Sequence, residues 1–245
     1  IFKEIDATTG KQISYYKQRE IYYAVNFSPD GNHIITGSGD DTIRVMNTVT
    51  TELLLAFKAS DAEEGYSYLN EVLFSPDGKM IIARIDNMIK AWRFPGADTL
   101  YTMPYHLQSV RSIEFSNDGK RAISSSWDKT AKIWNVATGQ LLADLRGHDN
   151  ILYSASFSPD SKRAITTSAD NTIRVWDSET GKNIFSFFQV DSLDYFCMIP
   201  SGYYQCTDGA ARKLHYVDEN LKVITFDQLD VKYNRPDKVL EAIGN

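Results

Sequence analysis

Apolar and polar positions alternate along this chain in short runs, interrupted at close intervals by Gly, Pro, Asp and Asn. The runs "HIITGS", "RAISSS", "RAITTS", "TIRVMN" and "TIRVWD" are rich in Ile, Val, Ser and Thr and lack the i, i+3, i+4 spacing of an amphipathic helix. They predict short antiparallel strands. The pattern also repeats. "FSPDGNHIITGSGDDTIRVMN" from Phe27, "FSPDGKMIIARIDNMIKAWRF" from Phe74, "FSNDGKRAISSSWDKTAKIWN" from Phe115 and "FSPDSKRAITTSADNTIRVWD" from Phe157 align, their starts 47, 41 and 42 residues apart.

Each turn in the repeat has a mechanism. In Ser-Pro-Asp-Gly, Pro sits at the second position, where its fixed φ suits a type I turn, and Gly ends it. That turn joins a strand ending at the Phe to one centred on "HIIT" or "RAIT". A second turn falls at "SADNT" or "SWDKT", where Asp can bond its own backbone. "TIRVW" makes a third strand, and "QLLADL" or "NIFSFF" a fourth after "ATG" or "ETG". Four short antiparallel strands per ~42 residues are the signature of a propeller blade. The fold class expected is all-β, a β-propeller of four-stranded antiparallel blades.

Composition narrows the partners. At 245 residues, 42% hydrophobic and 24% charged, the chain has an ordinary globular mix, which argues against disorder. A net charge of −6 without a basic stretch argues against nucleic acid. The acidic run Asp61, Glu63 and Glu64 reads as a solvated loop. No apolar run approaches the ~20 residues of a membrane span. A protein or peptide partner is expected, with neither nucleic acid nor membrane. Two cysteines, Cys197 and Cys206, are too few for a disulfide scaffold and fit a reducing, cytoplasmic compartment. They flank the turn Pro200-Ser201-Gly202 and could face each other across a hairpin, or stay as free buried thiols.

The Gly147-His148 pair, the Ser-Pro-Asp-Gly turns, the Asp of the second turn and Trp176-Asp177 resemble the motif of the WD-repeat β-propellers. In that family a His, a Ser or Thr, an Asp and a Trp form a hydrogen-bonded set that clamps each blade. The resemblance implies a structural clamp of His148, Thr166, Asp170 and Trp176 in the fourth unit. In the third it implies His106, Ser124, Asp128 and Trp134, with Tyr105 replacing the usual Gly before the His. The first unit keeps Thr36 and Asp40 but has Gln18 and Met46 at the other two places. The second keeps Asp86 and Trp92, is one residue short, and has no His. An Asp tucked under a blade is costly unless a donor meets it, and His can do so while bonding Ser or Thr through its other nitrogen.

At the ends the pattern loosens. Residues 1–17 read as the last two strands of a blade. Asp194 to Phe226 read as a divergent final blade, with "FCMIPSGYYQCT" and "LHYVDENLKVITF" as its hairpins. The total is about five and a half blades. Rings close with 4–8 blades and this family most often has seven, so an upstream segment or a further chain is expected to complete the ring. Residues 1–226 thus form the propeller and 227–245 a C-terminal extension, with a short helix that Asn234 caps, Pro236 opens and Gly244 ends. The run "YYQCTDGAARKLHYV…FDQLDVKYNRPDKVLE" resembles a segment of bacterial multidomain proteins that joins a WD-repeat propeller to a caspase-like cysteine protease domain. That resemblance implies a sensor or docking half of a larger protein, regulating a fused or associated protease.

Catalytic chemistry is not marked. "GSGD" at Gly37 lacks the Lys-Ser/Thr of a phosphate loop. Cys197 and His215 fall in expected strands without the surroundings of a cysteine protease. Of four histidines, two belong to clamps, and His33 and His215 do not space as metal ligands. The chain is therefore expected to be no enzyme and to hold no cofactor or metal; the rival reading is a propeller hydrolase with a site in the central channel. Binding is better supported. In WD-repeat proteins partners dock on the wide face where the first strands begin, and the alignment places Tyr23, Tyr68, Asn70, Arg111, Trp127, Ile151 and Tyr153 there. Tyr, Trp and Arg dominate interface hot spots. Trp127 stands where the other units have Gly39, Ile85 and Ala169; it is either an anchor for a partner or packing against a neighbouring loop. Tyr23 and Tyr153 carry the same two readings.

Overall fold

Alternation and turn chemistry build every sheet of the chain. The computed structural model describes residues 2–5, 8–16, 21–60, 69–103, 106–213, 215–217, 223–225 and 233–244. Gln18, Tyr68, Tyr105 and the acidic run at 61–64 lie outside them. First comes a two-stranded antiparallel sheet, β1 (Phe2–Ile5) and β2 (Gln12–Tyr16). Blade 1 is β3 (Tyr22–Phe27), β4 (His33–Ser38), β5 (Thr42–Asn47) and β6 (Leu53–Lys58). Blade 2 is β7 (Leu69–Phe74), β8 (Met80–Ile85), β9 (Met88–Arg93) and β10 (Thr99–Met103). Blade 3 is β11 (Val110–Phe115), β12 (Arg121–Ser126), β13 (Ala131–Asn135) and β14 (Leu141–Leu145). Blade 4 is β15 (Leu152–Phe157), β16 (Arg163–Ser168), β17 (Thr172–Asp177) and β18 (Asn183–Gln189). Within each blade the four strands follow in antiparallel order.

The first turn of each blade is closed by a side chain as well as by the backbone. Ser28, Ser75, Ser116 and Ser158 each donate from Oγ to the Asp two residues on, at 2.5 to 2.6 Å. Each Oγ also accepts the N–H five residues on, at 2.9 to 3.0 Å. The glycine of the turn takes φ of +72°, +69° and +68° in blades 1 to 3, and Ser161 adopts +57° in its place in blade 4.

Residues 1–105 and 106–245 form two compact units. In the first, Ile35, Ile43 and Val45 of blade 1 pack with Leu69, Val72 and Phe74 of blade 2, and Phe57 meets Trp92 edge-on at 5.3 Å. The sheets approach closely at Gly37, where a Cβ would stand 2.8 Å from Leu69 Cδ2. In the second, Ile123, Ala131 and Ile133 of blade 3 pack with Leu152, Ala155 and Phe157 of blade 4. Such burial of Ile, Leu and Phe contributes about 1.5–3 kcal/mol per side chain.

Beyond blade 4 the chain departs from the expected divergent blade. Its two hairpins form, but in different sheets. β19 (Tyr195–Met198) pairs with the outer edge of β18 and β20 (Tyr204–Cys206) follows, so blade 4 becomes a six-stranded sheet. The open edge of β18 is one cause, and aromatic pairing is another: Phe187 stacks on Tyr195 at 5.5 Å and Phe188 meets Phe196 at 5.8 Å. Helix α1 (Asp208–Lys213) then intervenes, its Ala210 N–H bonded to Thr207 Oγ1, an N-cap in the sequence "TDGAARK". β21 (His215–Val217) and β22 (Val223–Thr225) pair separately. Cys197 lies opposite Gln205 and Cys206 opposite Phe196, so the two thiols project from opposite faces of the hairpin and form no disulfide. Helix α2 (Pro236–Ile243) begins at its Pro and ends at Gly244 in the left-handed conformation, as expected, but Asn234 does not cap it. Asn234 bridges to Tyr204 instead, and Arg235 precedes the helix without a side-chain cap.

Candidate functional site

The second turn of each blade carries the candidate residues, and blades 3 and 4 hold it in the same way. Trp134 Nε1–H donates to Ser124 Oγ at 2.9 Å, Ser124 Oγ lies 2.8 Å from His106 Nε2, and His106 Nδ1 lies 2.9 Å from Asp128 Oδ2. In blade 4 Trp176 Nε1–H donates to Thr166 Oγ1 at 2.8 Å, Thr166 Oγ1 lies 2.7 Å from His148 Nε2, and His148 Nδ1 lies 2.8 Å from Asp170 Oδ2. One proton order satisfies each chain: the indole donates to the hydroxyl, the hydroxyl to Nε2, and Nδ1–H to the carboxylate. Both indoles are buried, as are both imidazoles. Gly147 takes φ of +148° beside His148, a conformation that L side chains rarely adopt, and a Cβ there would stand 2.7 Å from Arg174 Nη1.

The aspartates are held as anions by several donors. Asp128 also accepts from Leu107 N–H at 2.9 Å and Thr130 Oγ1 at 2.6 Å; Asp170 accepts from Asp149 N–H at 3.0 Å and Thr172 Oγ1 at 2.7 Å. Burial pushes the Asp170 carboxyl up, but the bonds from Thr172, His148 and the backbone outweigh it and bring it down to about 2. The same contest holds Asp128 well below the usual carboxylate range. Burial draws His148 down, against the pull of Asp170, and so favours the neutral ring that the proton order requires.

Blades 1 and 2 lack this chain. Asp40 pairs with Arg44, Nη2 to Oδ2 at 2.7 Å, and accepts from Ser38 Oγ and Thr42 N–H. Burial opposes its ionisation, and the bonds from Arg44 and Ser38 prevail to hold it low. Thr36 is buried, and its Oγ1 has no hydrogen-bond partner among the described residues; Met46 supplies no indole N–H. In blade 2 Ala83 occupies the hydroxyl position, opposite Lys90 as Ser124 is opposite Lys132. Asp86, aligned with the second-turn Asp of the other blades, takes a different place for a reason of length. Ile85 pairs directly with Met88, so Asp86 and Asn87 form the whole turn, and Asp86 takes φ of +52°. That is the conformation of Asp41, Lys129 and Asn171, the residues after the second-turn Asp in the other blades. Trp92 keeps its buried place, with Lys90 Nζ 5.7 Å from the ring centroid.

The expected partner residues flank these turns. Trp127, in the turn between β12 and β13, is 41% exposed, and the Arg111 guanidinium lies 5.4 Å from its ring centroid. The turn is tied to the start of the first strand by Trp127 N–H to Ser109 O at 3.0 Å, as Ala169 N–H is to Ile151 O at 2.9 Å. Ile151 is half-buried and Tyr153 exposed in blade 4. In the first unit Tyr23 is exposed against Gly39, whose Cβ would stand 3.0 Å from the Tyr23 ring, and Asn70 is exposed. Trp127 meets an arginine of its own blade and stays exposed, a contact that alignment of the repeats does not announce. His33 packs edge-on against Phe94 at 5.3 Å, and among the described residues no group of His, Cys, Asp and Glu is placed to hold a metal. His215 lies in β21, its side chain outside the described set.

These sheets and turns define an all-β, propeller-type chain of four-stranded blades. Residues 12–47, 97–135 and 139–177 match the family model described as WD domain, G-beta repeat (WD40). The stretch left unmatched between the first two of these contains the first three strands of blade 2, which lacks the hydroxyl, the histidine and one turn residue. Solved structures described as "Structure of U3-55K" and "Crystal structure of RRP9 WD40 repeats" are similar at 20% and 19% identity, each with a TM-score of 0.59. The likeness covers 78% of this chain and 62% and 61% of theirs, so the chain spans about three fifths of those solved chains and shares their fold. Among curated proteins no sequence matches it. WD40 repeat domains are in general protein-interaction scaffolds.

Proposed function

We propose that this chain is a non-catalytic interaction platform that binds a protein or peptide on the blade edge formed by the second turns and the starts of the first strands. The observation that carries the reading is the Arg111–Trp127 pair: an exposed indole with a guanidinium over its ring, on a turn whose own Asp is tied into a buried network. Rigid aromatic anchors of this kind lose little entropy on binding. Ile151 and Tyr153 extend the same edge on blade 4, and Tyr23 and Asn70 offer comparable groups on the first unit. Tyr68 belongs to the proposal by alignment alone. The resemblance of the tail adds a role, in which the platform acts as a sensor that regulates a caspase-like protease, fused or associated.

The apolar face of β3 supports a further part of the reading. Val25 is 56% exposed, whereas Val72, its counterpart in blade 2, is 1% exposed beneath blade 1. A neighbouring sheet from an upstream segment or a further chain would cover Val25 and Phe27 as blade 1 covers Val72 and Phe74.

The test is capture of partners from lysate by the immobilised chain, compared with the double variant Trp127→Ala, Arg111→Ala. Loss of the anchor pair should lower capture of a specific partner at least tenfold, about 1.4 kcal/mol or more. Unchanged capture by a folded double variant removes this edge from the interface.

A further inference from the structure

Arg121 staples blade 3 to blade 4 at the Ser-Pro-Asp end of the sheet, beside Asn117, which bonds Ser161 and Pro159. Arg121, the first residue of β12, donates to Ser178 O at 3.2 Å, to Ser178 Oγ at 3.0 Å and to Ser161 O, and its guanidinium lies 5.4 Å from the Phe157 ring centroid. All of these partners belong to blade 4. Arg163 is the same residue of blade 4, the first of β16, six positions after Phe157 as Arg121 is after Phe115. Its Nη2 donates to Ile243 O, a terminal carbonyl of α2. The last carbonyls of a helix lack intrahelical donors and carry its negative dipole end, so a guanidinium there is doubly favoured.

The rest of α2 is bedded on the same sheet. Val239 is fully buried with Cys197 and Ile199, against Phe185, Phe187, Tyr203 and Ile243. The chain enters the helix through Arg235 N–H, which donates to Tyr204 O at 2.9 Å. From this arrangement we infer that α2 is a releasable strap that takes the place of a following blade on the Ser-Pro-Asp end of blade 4, with Arg163 as its pin and the Cys197–Ile199–Phe187 patch as its bed. The inference is independent of the partner edge proposed above, which lies at the other end of the strands. Among the described residues the strap is one short helix held by buried Val239, partly buried Ile243, the pin and a backbone bond. Such an element opens at far lower cost than the blades. Opening bares Cys197, whose thiol is pushed up by burial and returns towards ordinary reactivity in water.

The experiment uses the full chain carrying Cys206→Ser, so that Cys197 is the one thiol left of two. The rate at which an aromatic disulfide reagent labels Cys197 under native conditions reads strap opening, and hydrogen exchange over residues 236–243 reads it independently. Arg163→Ala should accelerate labelling about tenfold, the usual effect of losing one charge-assisted hydrogen bond. Val239→Asp should accelerate it further, and Arg163→Lys should fall between Arg163→Ala and the parent. Arg121→Ala, which cuts the equivalent staple without touching α2, should leave the labelling rate at the parent value even where it lowers the melting temperature. Unchanged labelling and exchange in Arg163→Ala overturn the proposal, and so does equal acceleration by Arg121→Ala, which would mean that Cys197 is reached by general unfolding.

Discussion

Blades 1 and 4 pair the same positions in the same register and stabilise their second turns by different chemistry. Thr36 faces Arg44 across the middle pair of strands as Thr166 faces Arg174, and Met46 stands where Trp176 does. In blade 4 the turn Asp is claimed by His148, and the cation is left over: Arg174 Nε is buried without a hydrogen-bond partner among the described residues. In blade 1 the Asp is claimed by Arg44, and it is the hydroxyl of Thr36 that has no partner among the described residues. A buried carboxylate needs donors, and the fold offers it two, an imidazole from the preceding loop or a guanidinium from the next strand. The sheet forms with either. The clamp therefore reinforces a blade whose existence depends on alternation, turns and buried Ile and Val.

The largest test of that difference is removal of one partner on each side. His148→Ala strips Asp170 of a buried donor and Thr166 of its acceptor, and should cost about 3–5 kcal/mol in chemical denaturation. Arg44→Ala removes a more exposed partner from an Asp that keeps bonds to Ser38 and Thr42, and should cost about 1 kcal/mol. Equal losses would mean that the two turns are held alike and that the imidazole has no special part.

How much of this was open to sequence reading depends on the range of the cause. Strand alternation and the Ser-Pro-Asp turns are local, and they suffice to place four blades, whereas both His–Asp–hydroxyl–Trp sets were legible only through the resemblance to the WD-repeat motif. Asp86 shows the limit. Alignment by residue type matches it to Asp40, Asp128 and Asp170, while the backbone, one residue shorter, uses it as the left-handed residue of a tight turn. Non-local choices are the other limit. No local pattern says that β19 joins the free edge of β18 and not the hairpin that follows α1, or that Arg163 reaches Ile243, eighty residues on. The α1 signal was present in Thr207, Asp208 and the closing Arg212 and Lys213, but six residues between strands are easily read as a loop.

A finer comparison uses one hydroxyl in each blade. Thr166→Val deprives the Trp176 indole N–H of its acceptor and His148 Nε2 of its donor, leaving two buried groups unsatisfied at a cost of about 2–3 kcal/mol. Thr36→Val removes a buried hydroxyl that has no partner among the described residues, with no change in size, and should be neutral or stabilising by up to about 1 kcal/mol. Melting curves of the two variants, measured side by side, decide the point. A comparable loss in both would mean that Thr36 has a partner of its own and that blade 1 carries a second, different clamp.

The smallest effect separates the two turns by pH. His148 is drawn below its ordinary value of 6.5 by burial, so the unfolded chain takes up a proton before the folded one does. Its contribution is therefore whole above pH 6.5 and is lost as pH falls below that value, at no more than about 1.4 kcal/mol per pH unit while the folded ring stays neutral. Asp170, brought down to about 2, contributes fully above the ordinary carboxylate value near 4 and is lost between about pH 4 and 2. Asp40 has only the carboxylate window, since Arg44 does not titrate in this range. Stability measured at pH 7.5 and 5.5 should thus fall less in His148→Gln than in the parent, because the variant has no imidazole in blade 4 to protonate, while Arg44→Gln should retain the parent's slope. A His148→Gln slope equal to the parent's would show that folding does not shift the blade 4 imidazole, and a parent that falls less than His148→Gln would show that the ring is charged in the fold, so that the proton order from Trp176 to Asp170 would have to be revised.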